Sequence, residues 1–589
     1  MKRTLFYTAL MSLAFAVSCE KSSEQEVTKA EIKVSPATLI LDATQTETSF
    51  RLTASKAWTI TCSADWITAI EPSEGEAVTD QQIKITTTIN EANLRSAQLV
   101  ISCPDASATV SVSQGTSANK TVLGKTYLMK AALTEDERGF NMLSDPGFED
   151  HADHTIDYKT PWWILGSTRV KDPHTGDYAA RLNGSITENL GFQTVCARPY
   201  TDYVVSAWFK SNLDEGNPDT YLGMRKNIEG RPVLKDENKG GSFSTTWSQS
   251  STYFNTGDCA EVEAFAFSFA KDGYVIQWDD VTLTRPDDTQ KSYLLTSVEK
   301  VGSLSDMFGG SITSFDGCTA WDGGNGKTMI AFGQNVGEAE FDPKANALAI
   351  STDSNLADGL EATVVSTDGK VNEILPLSGT EKGVIPTAGI NVGNRQWIHF
   401  QSVKSKVFAS DMWEIFSSGL AYSDDDGTTW TRSDVSWNAG SAFAQVAFLR
   451  DNGYVYMYGS TAGRIVEGEQ FVKIARVAEN EMGTSSAWTY WNGSEWVADE
   501  AAAVSIIYAG TLGEISVIKN ANGRYLMMYS SIKRDAVVIR DAASPEGDWS
   551  GEKIVMVDSA DEVLYAPTFL PISANGNDIY FLMSSAWGE

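Results

Sequence analysis

The chain has 589 residues, only four histidines and a formal net charge of −31 at pH 7. So acidic a protein is not expected to bind the phosphate backbone of nucleic acids, which requires a basic surface, and four histidines argue against histidine-rich metal chemistry. A neutral polysaccharide or oligosaccharide is the better partner. The length exceeds what one hydrophobic core holds, so we expect three or four domains in a monomeric protein.

The first nineteen residues have the pattern of a targeting segment. A charged start and an apolar run lead to Ala16-Val-Ser-Cys19, which is similar to a bacterial lipobox. We therefore predict a lipoprotein signal peptide over residues 1–19, lipidation of Cys19 and anchoring to the outer membrane, at the cell surface or on the periplasmic face. A plain secretory signal is the alternative. Residues 20–30 are polar and predict a flexible tether.

Five cysteines follow Cys19. Cys62 with Cys103, and Cys196 with Cys259, are candidate disulfide pairs, which leaves Cys318 without a partner. The odd count argues against a full disulfide framework, and spacing alone does not fix the connectivity.

Residues 31–115 alternate apolar and polar side chains with the period of β-strands. The region resembles the BACON domain, a small β-sandwich of Bacteroidetes surface proteins, through Trp58, Ala64-Asp-Trp66-Ile67, Pro72-Ser-Glu-Gly75 and Arg95. Trp58 and Trp66 are either core residues, which we favour, or platforms for sugar rings. Residues 116–123 predict a linker.

A second β-rich unit is predicted over residues 124–290. Its order of motifs resembles the jelly-roll carbohydrate-binding modules: Gly147-Phe-Glu149, then Gly176-Asp-Tyr-Ala-Ala-Arg-Leu182, then Asp279-Asp-Val281. In that fold the first and last strands lie together, so Glu149 and Asp280 are candidate ligands of a structural Ca²⁺, which prefers hard oxygen donors. The alternative is a pair of solvated carboxylates. No cofactor is otherwise required.

Aromatic residues near position 160 are candidates for stacking on sugar faces. Trp162 and Trp163, together with Tyr158, lie in a predicted loop of the jelly roll. Such rings pack against the apolar face of a sugar as readily as they pack in a core.

Residues 297–589 contain short strands that recur at intervals of a few tens of residues, which predicts a β-propeller. The length fits five blades, although six remain open. Ser423-Asp-Asp-Asp-Gly-Thr-Thr-Trp430 fits an Asp-box, a hairpin motif of sialidase-like propellers. There Asp425 is expected to bind backbone N–H groups, Gly427 to adopt a positive φ, and Trp430 to pack beneath the hairpin. The fold class is therefore all-β and multidomain: a small β-sandwich, a β jelly roll and a five-bladed β-propeller.

Within this last block the chain resembles the propellers of domain of unknown function 4185, grouped with endo-D-arabinanases as glycoside hydrolase family 183. Ordered matches carry the resemblance, among them Phe315-Asp-Gly-Cys-Thr-Ala-Trp-Asp322, Ala331-Phe-Gly-Gln-Asn335, Ile385-Pro-Thr387, Tyr458-Gly-Ser-Thr-Ala-Gly-Arg464, Gly513-Glu-Ile-Ser-Val517 and Tyr565-Ala-Pro567. The resemblance implies cleavage inside chains of α-linked D-arabinofuranose, as in arabinogalactan and lipoarabinomannan.

Glycosidase chemistry needs two carboxyl groups around the scissile bond. The family pattern places Asp316 and Asp322 at two acidic positions, but Gln334 stands at the third. A neutral amide neither attacks as a nucleophile nor exchanges a proton at ordinary pH. Either another carboxylate replaces it, for which Glu514 is the next candidate, or the protein is inactive.

Further side chains in the matched motifs are candidates for substrate binding. These are Gln334, His399, Gln445, Arg464 and Tyr565. The sequence thus leaves two functions open: a surface glycoside hydrolase acting on D-arabinan, and a non-catalytic glycan-binding lipoprotein with a degenerate site. Family members also continue past the position of Glu589, so either residues near Val298 complete the last blade or the chain is a shortened product.

Overall fold

The computed structural model is an all-β, multidomain protein, as predicted. It describes residues 30–41, 46–90, 95–114, 125–150, 161–165, 167–183, 189–212, 214, 219–226, 233–234, 238–239, 244–269, 275–286, 288–303, 312–315, 317–333, 335–337, 343–344, 346–367, 370–407, 412–462, 470–559, 563–576 and 578–586. The described residues form two compact units, one within 30–89 and 96–114 and one within the remainder. Across these residues no helical segment has the length and apolar character of a membrane span.

The first unit is a β-sandwich. Its strands are β1 (Ile32–Ser35), β2 (Thr38–Leu41), β3 (Glu47–Ala54), β4 (Trp58–Thr61), β5 (Ile67–Glu71), β6 (Glu74–Gly75), β7 (Val78–Thr87), β8 (Arg95–Cys103) and β9 (Ala106–Gln114). One sheet has the order β1-β3-β7-β5 and the other β2-β9-β8-β4-β6. Alternate residues of each strand fill the core between them. Trp58 and Trp66 are 2% and 9% exposed and belong to that core, so neither is a sugar platform.

The jelly roll follows β10 (Lys125–Asp136) in the chain. Its strands are β11 (Trp163–Leu165), β12 (Ser167–Val170), β13 (Ala179–Asn183), β14 (Asn189–Cys196), β15 (Asp202–Ser211), β16 (Asp219–Lys226), β17 (Val233–Leu234), β18 (Asn238–Lys239), β19 (Ser248–Asn255), β20 (Glu261–Phe269) and β21 (Val275–Thr284). They form two facing sheets. One has the order β11-β14-β20-β16-β17, with β18 also paired to β16, and the other has the order β12-β13-β21-β15-β19. Phe148, Tyr203 and Trp278 are among the residues packed between them.

The rest of the chain supplies the propeller. Its strands are β22 (Ser292–Ser303), β23 (Ile312–Phe315), β24 (Cys318–Gly324), β25 (Lys327–Phe332), β26 (Asn335–Gly337), β27 (Pro343–Lys344), β28 (Ala347–Ser351), β29 (Thr363–Val364), β30 (Ser366–Thr367), β31 (Lys370–Val371), β32 (Gly383–Val392), β33 (Arg395–Val407), β34 (Met412–Ser423), β35 (Thr431–Asn438), β36 (Gln445–Asp451), β37 (Tyr454–Ser460), β38 (Gln470–Ala478), β39 (Thr489–Trp491), β40 (Trp496–Val497), β41 (Ser505–Gly510), β42 (Leu512–Lys519), β43 (Tyr525–Ser531), β44 (Ala536–Ala542), β45 (Lys553–Val557), β46 (Val563–Phe569) and β47 (Asp578–Ala586). Short 3-10 helices lie at Leu356–Asp358, Glu479–Glu481, Ser485–Ala487, Glu500–Ala502, Ile532–Arg534 and Pro571–Asn575.

Five blades surround one axis. The blades are β24-β25-β28-β29, β32-β33-β34-β35, β36-β37-β38-β39, β42-β43-β44-β45 and β46-β47-β10-β22, each written from its inner strand outwards. The inner strands β24, β32, β36, β42 and β46 contact one another in that order, and β46 contacts β24. The ring therefore closes with five blades, as predicted.

The fifth blade corrects the predicted domain boundaries. Residues 125–136 were expected in the jelly roll, but β10 pairs with β47 on one side and β22 on the other. Its alternate side chains pack on both faces: Met129 and Leu133 against blade 4, and Leu128 against blade 1. The jelly roll is thus inserted between the two outer strands of this blade, and residues near Val298 contribute its last strand.

The Asp-box hairpin joins β34 to β35 as expected. Asp425 Oδ2 accepts the Thr429 hydroxyl at 2.6 Å, and Oδ1 accepts the Thr429 N–H and the Ser423 hydroxyl, both at 2.8 Å. These bonds, first of all that from the Thr429 hydroxyl, lower the pKa of the carboxyl group. Gly427 has φ +88°, and the indole of Trp430 donates to its carbonyl at 3.0 Å. The predicted roles of all three residues are confirmed.

The predicted disulfides do not form. All five described cysteines are free thiols. The thiols of Cys62 and Cys103 are turned to different neighbours, since Cys62 accepts from the Ala64 N–H while Cys103 faces the carbonyl of Lys56.

The jelly roll is docked on blade 4 through buried polar contacts. Tyr203 donates its hydroxyl to Asp548 at 2.9 Å, and Arg285 Nε lies 2.9 Å from the same carboxylate. Nearby, the Glu552 N–H donates to the Ser144 hydroxyl at 2.7 Å. Because its carboxylate is 2% exposed, Asp548 is a buried charge that depends on these partners.

Candidate functional site

The amino-terminal ends of the inner strands form one mouth of the ring, which we call the amino-terminal mouth. Glu514 lies near the start of β42, and its Oε2 accepts the backbone N–H of Ala566 on β46 at 3.1 Å. A Cβ atom built on Gly317, just before β24, would lie 3.6 Å from the Cβ of Ala566. Gly317, Glu514 and Ala566 are therefore at the same level of the ring.

The strands β42 and β46 pair irregularly with their neighbours at this mouth, and these irregularities set the direction of the side chains there. The register of β42 against β43 shifts between Leu512 and Ile515, which brackets Glu514. The register of β46 against β47 shifts between Tyr565 and Thr568, and Ala566 there has φ +49°. Such bulges twist a strand and re-aim a side chain, and they are common beside functional sites.

Cys318 follows Gly317 at this mouth and is held as a thiol. Its desolvation, and then the nearby negative charge of Glu514, raise the pKa of the thiol well above its ordinary value. Because the thiolate is the reactive form of cysteine, nucleophilic chemistry through Cys318 is disfavoured. Glu514 therefore places a carboxyl group beside Cys318 at this mouth.

Two predicted binding residues also lie on the inner strands at this mouth. Tyr565 on β46 is 6% exposed, and Gln445, the first residue of β36, is 3% exposed. The Nε2 of Gln445 has no hydrogen-bond partner. A carboxylate, a phenol and an unpaired carboxamide are thus supplied by three neighbouring blades.

Asp322 is wrongly predicted as a partner of these groups. It lies near the carboxyl-terminal end of β24, where its Oδ1 accepts the Gly324 N–H at 2.8 Å. The Ala320 N–H already pairs with the Thr568 hydroxyl, two residues beyond the level of Ala566. At about 3.3 Å per residue, Asp322 is displaced by roughly 13 Å along the axis from the level of Glu514. The Trp-Asp motif identified Asp322 in the sequence, but it did not predict where Asp322 lies along the propeller axis.

A cavity of about 320 Å³ runs along the inner strands, from Thr319 and Ile515 to Asp322 and Lys519. Asp322, Asn391, Arg450 and Lys519 are among the residues that line it. Its two cations are paired, Arg450 with Glu479 and Lys519 with Asp451. The cavity thus has paired charges at the carboxyl-terminal ends of the inner strands.

His399 is also wrongly predicted as a substrate-binding group. Its ring is fully buried, Nε2 donates to the carbonyl of Phe443 at 3.1 Å, and Nδ1 accepts from the Thr387 hydroxyl at 2.6 Å. Burial lowers the pKa of the ring to about 3, so the histidine is neutral. Nδ1 is used within blade 2 and Nε2 joins blade 2 to the chain before blade 3, so both nitrogens have a structural role.

Several predicted site residues lie outside the described residues. These are Cys19, Tyr158, Asp316, Gln334 and Arg464. Their roles stay predictions.

The two predicted tryptophans of the jelly roll differ in environment. Trp162 is 1% exposed, packs on Phe148 and Trp278, and donates its indole N–H to the Asp145 carbonyl at 2.8 Å. It is a core residue, which corrects its predicted role in sugar binding. Trp163 is 49% exposed and faces the opposite side of its sheet.

Trp163 belongs to an aromatic face of the jelly roll that the sequence analysis missed. Trp163 and Phe192 have ring centroids 5.0 Å apart, and Tyr221 and Phe267 lie 5.8 Å apart on the same sheet. Arg225 stacks over Phe192 and pairs with Glu263. We call Trp163, Phe192, Tyr221, Arg225 and Phe267 the aromatic face. The alternation of aromatic side chains within β20, at Phe265, Phe267 and Phe269, was the signal that could have indicated it.

Glu149 and Asp280 lie at one end of the jelly roll, around Gly147, but each binds protein donors. Glu149 Oε1 accepts the N–H groups of Asp177 and Tyr178 at 2.9 and 3.0 Å, and Asp280 Oδ2 lies 2.6 Å from His174 Nδ1. Among the described residues, no group of three or more histidine, cysteine or acidic side chains is arranged to hold a metal ion. The calcium site stays a prediction.

Two fungal proteins resemble part of this chain. Notoamide biosynthesis cluster protein J of Aspergillus sp. (strain MF297-2) is 29% identical over 215 residues, which cover 35% of this chain and 56% of the relative. Protein J' of Aspergillus versicolor is 28% identical over 211 residues, covering 35% and 57%. The matched region thus spans just over half the length of these relatives.

Three solved structures resemble parts of the chain at low identity. The GH43_1 enzyme of Xanthomonas citri has a TM-score of 0.30 and 13% identity, with 46% of this chain and 86% of that chain covered. The Hadza microbial sialidase Hz136 has a TM-score of 0.26 and 11% identity, with 69% and 98% covered. Family 16 Carbohydrate Binding Module-2 has a TM-score of 0.21 and 19% identity, with 25% and 100% covered.

Family models match two of the three predicted domains. Residues 56–115 match the BACON model. Residues 307–588 match the model described as domain of unknown function DUF4185, and they include all five inner strands of the propeller.

Proposed function

We propose that this protein is a cell-surface glycoside hydrolase that cleaves within chains of α-linked D-arabinofuranose, such as those of arabinogalactan and lipoarabinomannan. The observation that carries the proposal is the position of Glu514 at the mouth where the inner strands of five blades converge. Side chains from distant parts of the sequence can meet around one glycosidic bond at such a mouth. The match of residues 307–588 to the DUF4185 model supports the same reading.

Glu514 and Asp316 are the two proposed catalytic carboxyl groups. One protonates the leaving oxygen, and the other attacks the anomeric carbon or removes a proton from the attacking water. The Ala566 N–H donates to Glu514 and so fixes the position of a carboxyl group that is proposed for the attacking or base role. Asp316 is proposed from the motif, and its sequence neighbour Gly317 lies beside Ala566.

Release of oligosaccharides from mycobacterial arabinogalactan tests this proposal. The chain without residues 1–19 is compared with Glu514→Gln, Asp316→Asn and Asp322→Asn. We expect Glu514→Gln and Asp316→Asn each to lose at least about a thousandfold in kcat, because each removes a group that acts in the transition state. Asp322→Asn is the matched control and keeps its activity, since Asp322 lies at the other end of the ring. Full activity of Glu514→Gln would refute the assignment.

The second candidate function is glycan binding without hydrolysis. Gln334 favours it, because an amide stands where the family pattern has an acid. Affinity electrophoresis through gels that contain arabinogalactan separates the two functions: retention without products supports binding alone. Gln334→Asp would then be expected to restore product release.

We propose that the jelly roll holds the same neutral glycan on its aromatic face, where ring faces stack on sugar and Arg225 grips hydroxyl groups. The docking contacts of Asp548 indicate a module fixed to the propeller. The lipid anchor at Cys19 is proposed for the outer membrane. Membrane fractionation of wild type against Cys19→Ala tests it, since loss of lipid should move the protein to the soluble fraction.

A further inference from the structure

Gln445 presents a buried donor that no described residue satisfies. Its side chain is 3% exposed, and its Nε2 has no hydrogen-bond partner. A buried amide without a partner is costly, and native proteins almost always pair such groups with protein, water or ligand. The position of the amide therefore identifies where a partner from outside the protein is expected.

Strand alternation gives the direction of this side chain. Ala447 and Leu449, on the same side of β36 as Gln445, pack in one cluster with Leu512 and Ile515 of β42. Gln445 therefore lies on the side of β36 that is turned towards β42. Because Gln445 is the first residue of β36, it lies at the same end of the ring as Glu514 of β42.

A second unsatisfied group lies at the same seam between blades 3 and 4. Ser531 is 1% exposed, its Oγ has no hydrogen-bond partner, and its backbone pairs with Leu512 at the start of β42. By alternation it shares a side of β43 with Tyr529, which belongs to the same cluster. The Ser531 side chain lines a cavity that it shares with Cys196 of the jelly roll and Tyr508 of β41, so it is an unsatisfied group separate from Gln445.

We propose that Gln445 is a glycan-binding residue of the amino-terminal mouth, donating its Nε2 hydrogen to a hydroxyl or ring oxygen of the sugar bound beside Glu514. This inference rests on the proposed function and adds a specificity-determining group to it. A neutral amide suits a neutral sugar, because it binds hydroxyl groups without attracting counter-ions. A site built to bond one hydroxyl discriminates strongly against a sugar that lacks it.

Two matched substitutions test the role of Gln445. Gln445→Leu removes an unpaired buried amide of similar size. Gln396→Leu is the control, because Gln396 is 1% exposed and both ends of its amide are paired: Nε2 donates to the Gly323 carbonyl at 2.7 Å, and Oε1 accepts from the Trp321 indole at 2.9 Å. Both are measured for Tm and for retention on gels that contain arabinogalactan, xylan or galactan.

We expect Gln445→Leu to weaken glycan retention at least tenfold while its Tm is unchanged or higher, since no protein hydrogen bond is lost. Gln396→Leu should lower Tm and leave the retention of the folded protein unchanged. The inference is overturned if Gln445→Leu binds as wild type does, or if its Tm falls or folding fails as for a paired glutamine. If none of the three glycans retains the wild-type protein, the proposed function is wrong. The Tm of Gln445→Leu then tests the inference by itself: a higher Tm supports a Gln445 donor that faces a ligand, and a lower Tm overturns the inference.

Discussion

Glu514 and Ala566 are joined across the seam between blades 4 and 5, where Oε2 of the glutamate accepts the backbone N–H of the alanine at 3.1 Å. Ala566 has φ +49°, a left-handed conformation that side chains with a branched Cβ adopt with difficulty. The geometry of one backbone residue thus holds the carboxylate proposed for catalysis.

Substitution of Ala566 tests this link. Ala566→Val should lower the free energy of unfolding by about 1–3 kcal/mol, because the site is buried and the left-handed conformation is strained for valine. It should also lower kcat more than tenfold by displacing Glu514. Ala566→Gly is the control. Its free energy of unfolding should stay within about 1 kcal/mol of wild type, and its kcat within about twofold. Urea unfolding and arabinan hydrolysis provide the measurements, and equal activity of the two variants would contradict the link.

Trp162 and Trp163 should respond in opposite ways to truncation. Trp162→Ala empties a buried position and is expected to cost about 3–5 kcal/mol of stability. Trp163→Ala removes an exposed ring and should leave stability nearly unchanged while weakening retention on arabinogalactan gels. Thermal unfolding and affinity electrophoresis distinguish the two effects. Unchanged retention of Trp163→Ala would remove the aromatic face from the binding model.

Loss of Asp548 should loosen the docking of the jelly roll on blade 4. Asp548→Ala leaves the buried Tyr203 hydroxyl without its acceptor and takes the ion-pair partner from Arg285, which is 37% exposed, so it is expected to cost about 1–3 kcal/mol. Asp424→Ala is the control, because Asp424 pairs with Arg395 at the surface and its loss should have a much smaller effect. Limited proteolysis should cut Asp548→Ala between the modules sooner than wild type, and equal cleavage would argue against the contact.

His399 should make stability depend on pH. Its pKa of about 3 in the folded protein is below the ordinary value of 6.5, so the unfolded chain binds a proton that the folded protein does not. The contribution of His399 to the free energy of unfolding is therefore fully present above about pH 6.5. It decreases as the pH falls and is smaller by about 2 kcal/mol at pH 5. His399→Gln should abolish that part of the difference between urea unfolding at pH 7.5 and at pH 5. A wild-type pH dependence in the variant would show that the histidine is not buried as a neutral ring.

Local motifs in the sequence predicted local structure well. The Asp-box specified the contacts of Asp425, Gly427 and Trp430, because all three bonds form within eight consecutive residues. Glu514 was placed at an inner strand through its own motif. By contrast, the level of Asp322 and the burial of His399 depend on how blades align with their neighbours, and no short window of sequence contains that information.

The composition of the fifth blade is another feature that short stretches of sequence do not predict. Apolar residues of β10, such as Met129, read equally well as a jelly-roll strand, and their partners on β47 lie more than 440 residues later in the chain. Only the closed ring shows that blade 5 needs strands from before and after the jelly roll.

This arrangement governs how the protein can be divided for experiment. A fragment that starts at residue 297 loses β10 and half of β22, so the outer edge of β47 and the apolar surfaces of blades 1 and 4 would meet water. Such a fragment should aggregate, whereas one that begins at residue 125 keeps the ring whole and carries the jelly roll with it. The propeller and the jelly roll therefore have to be produced as one piece.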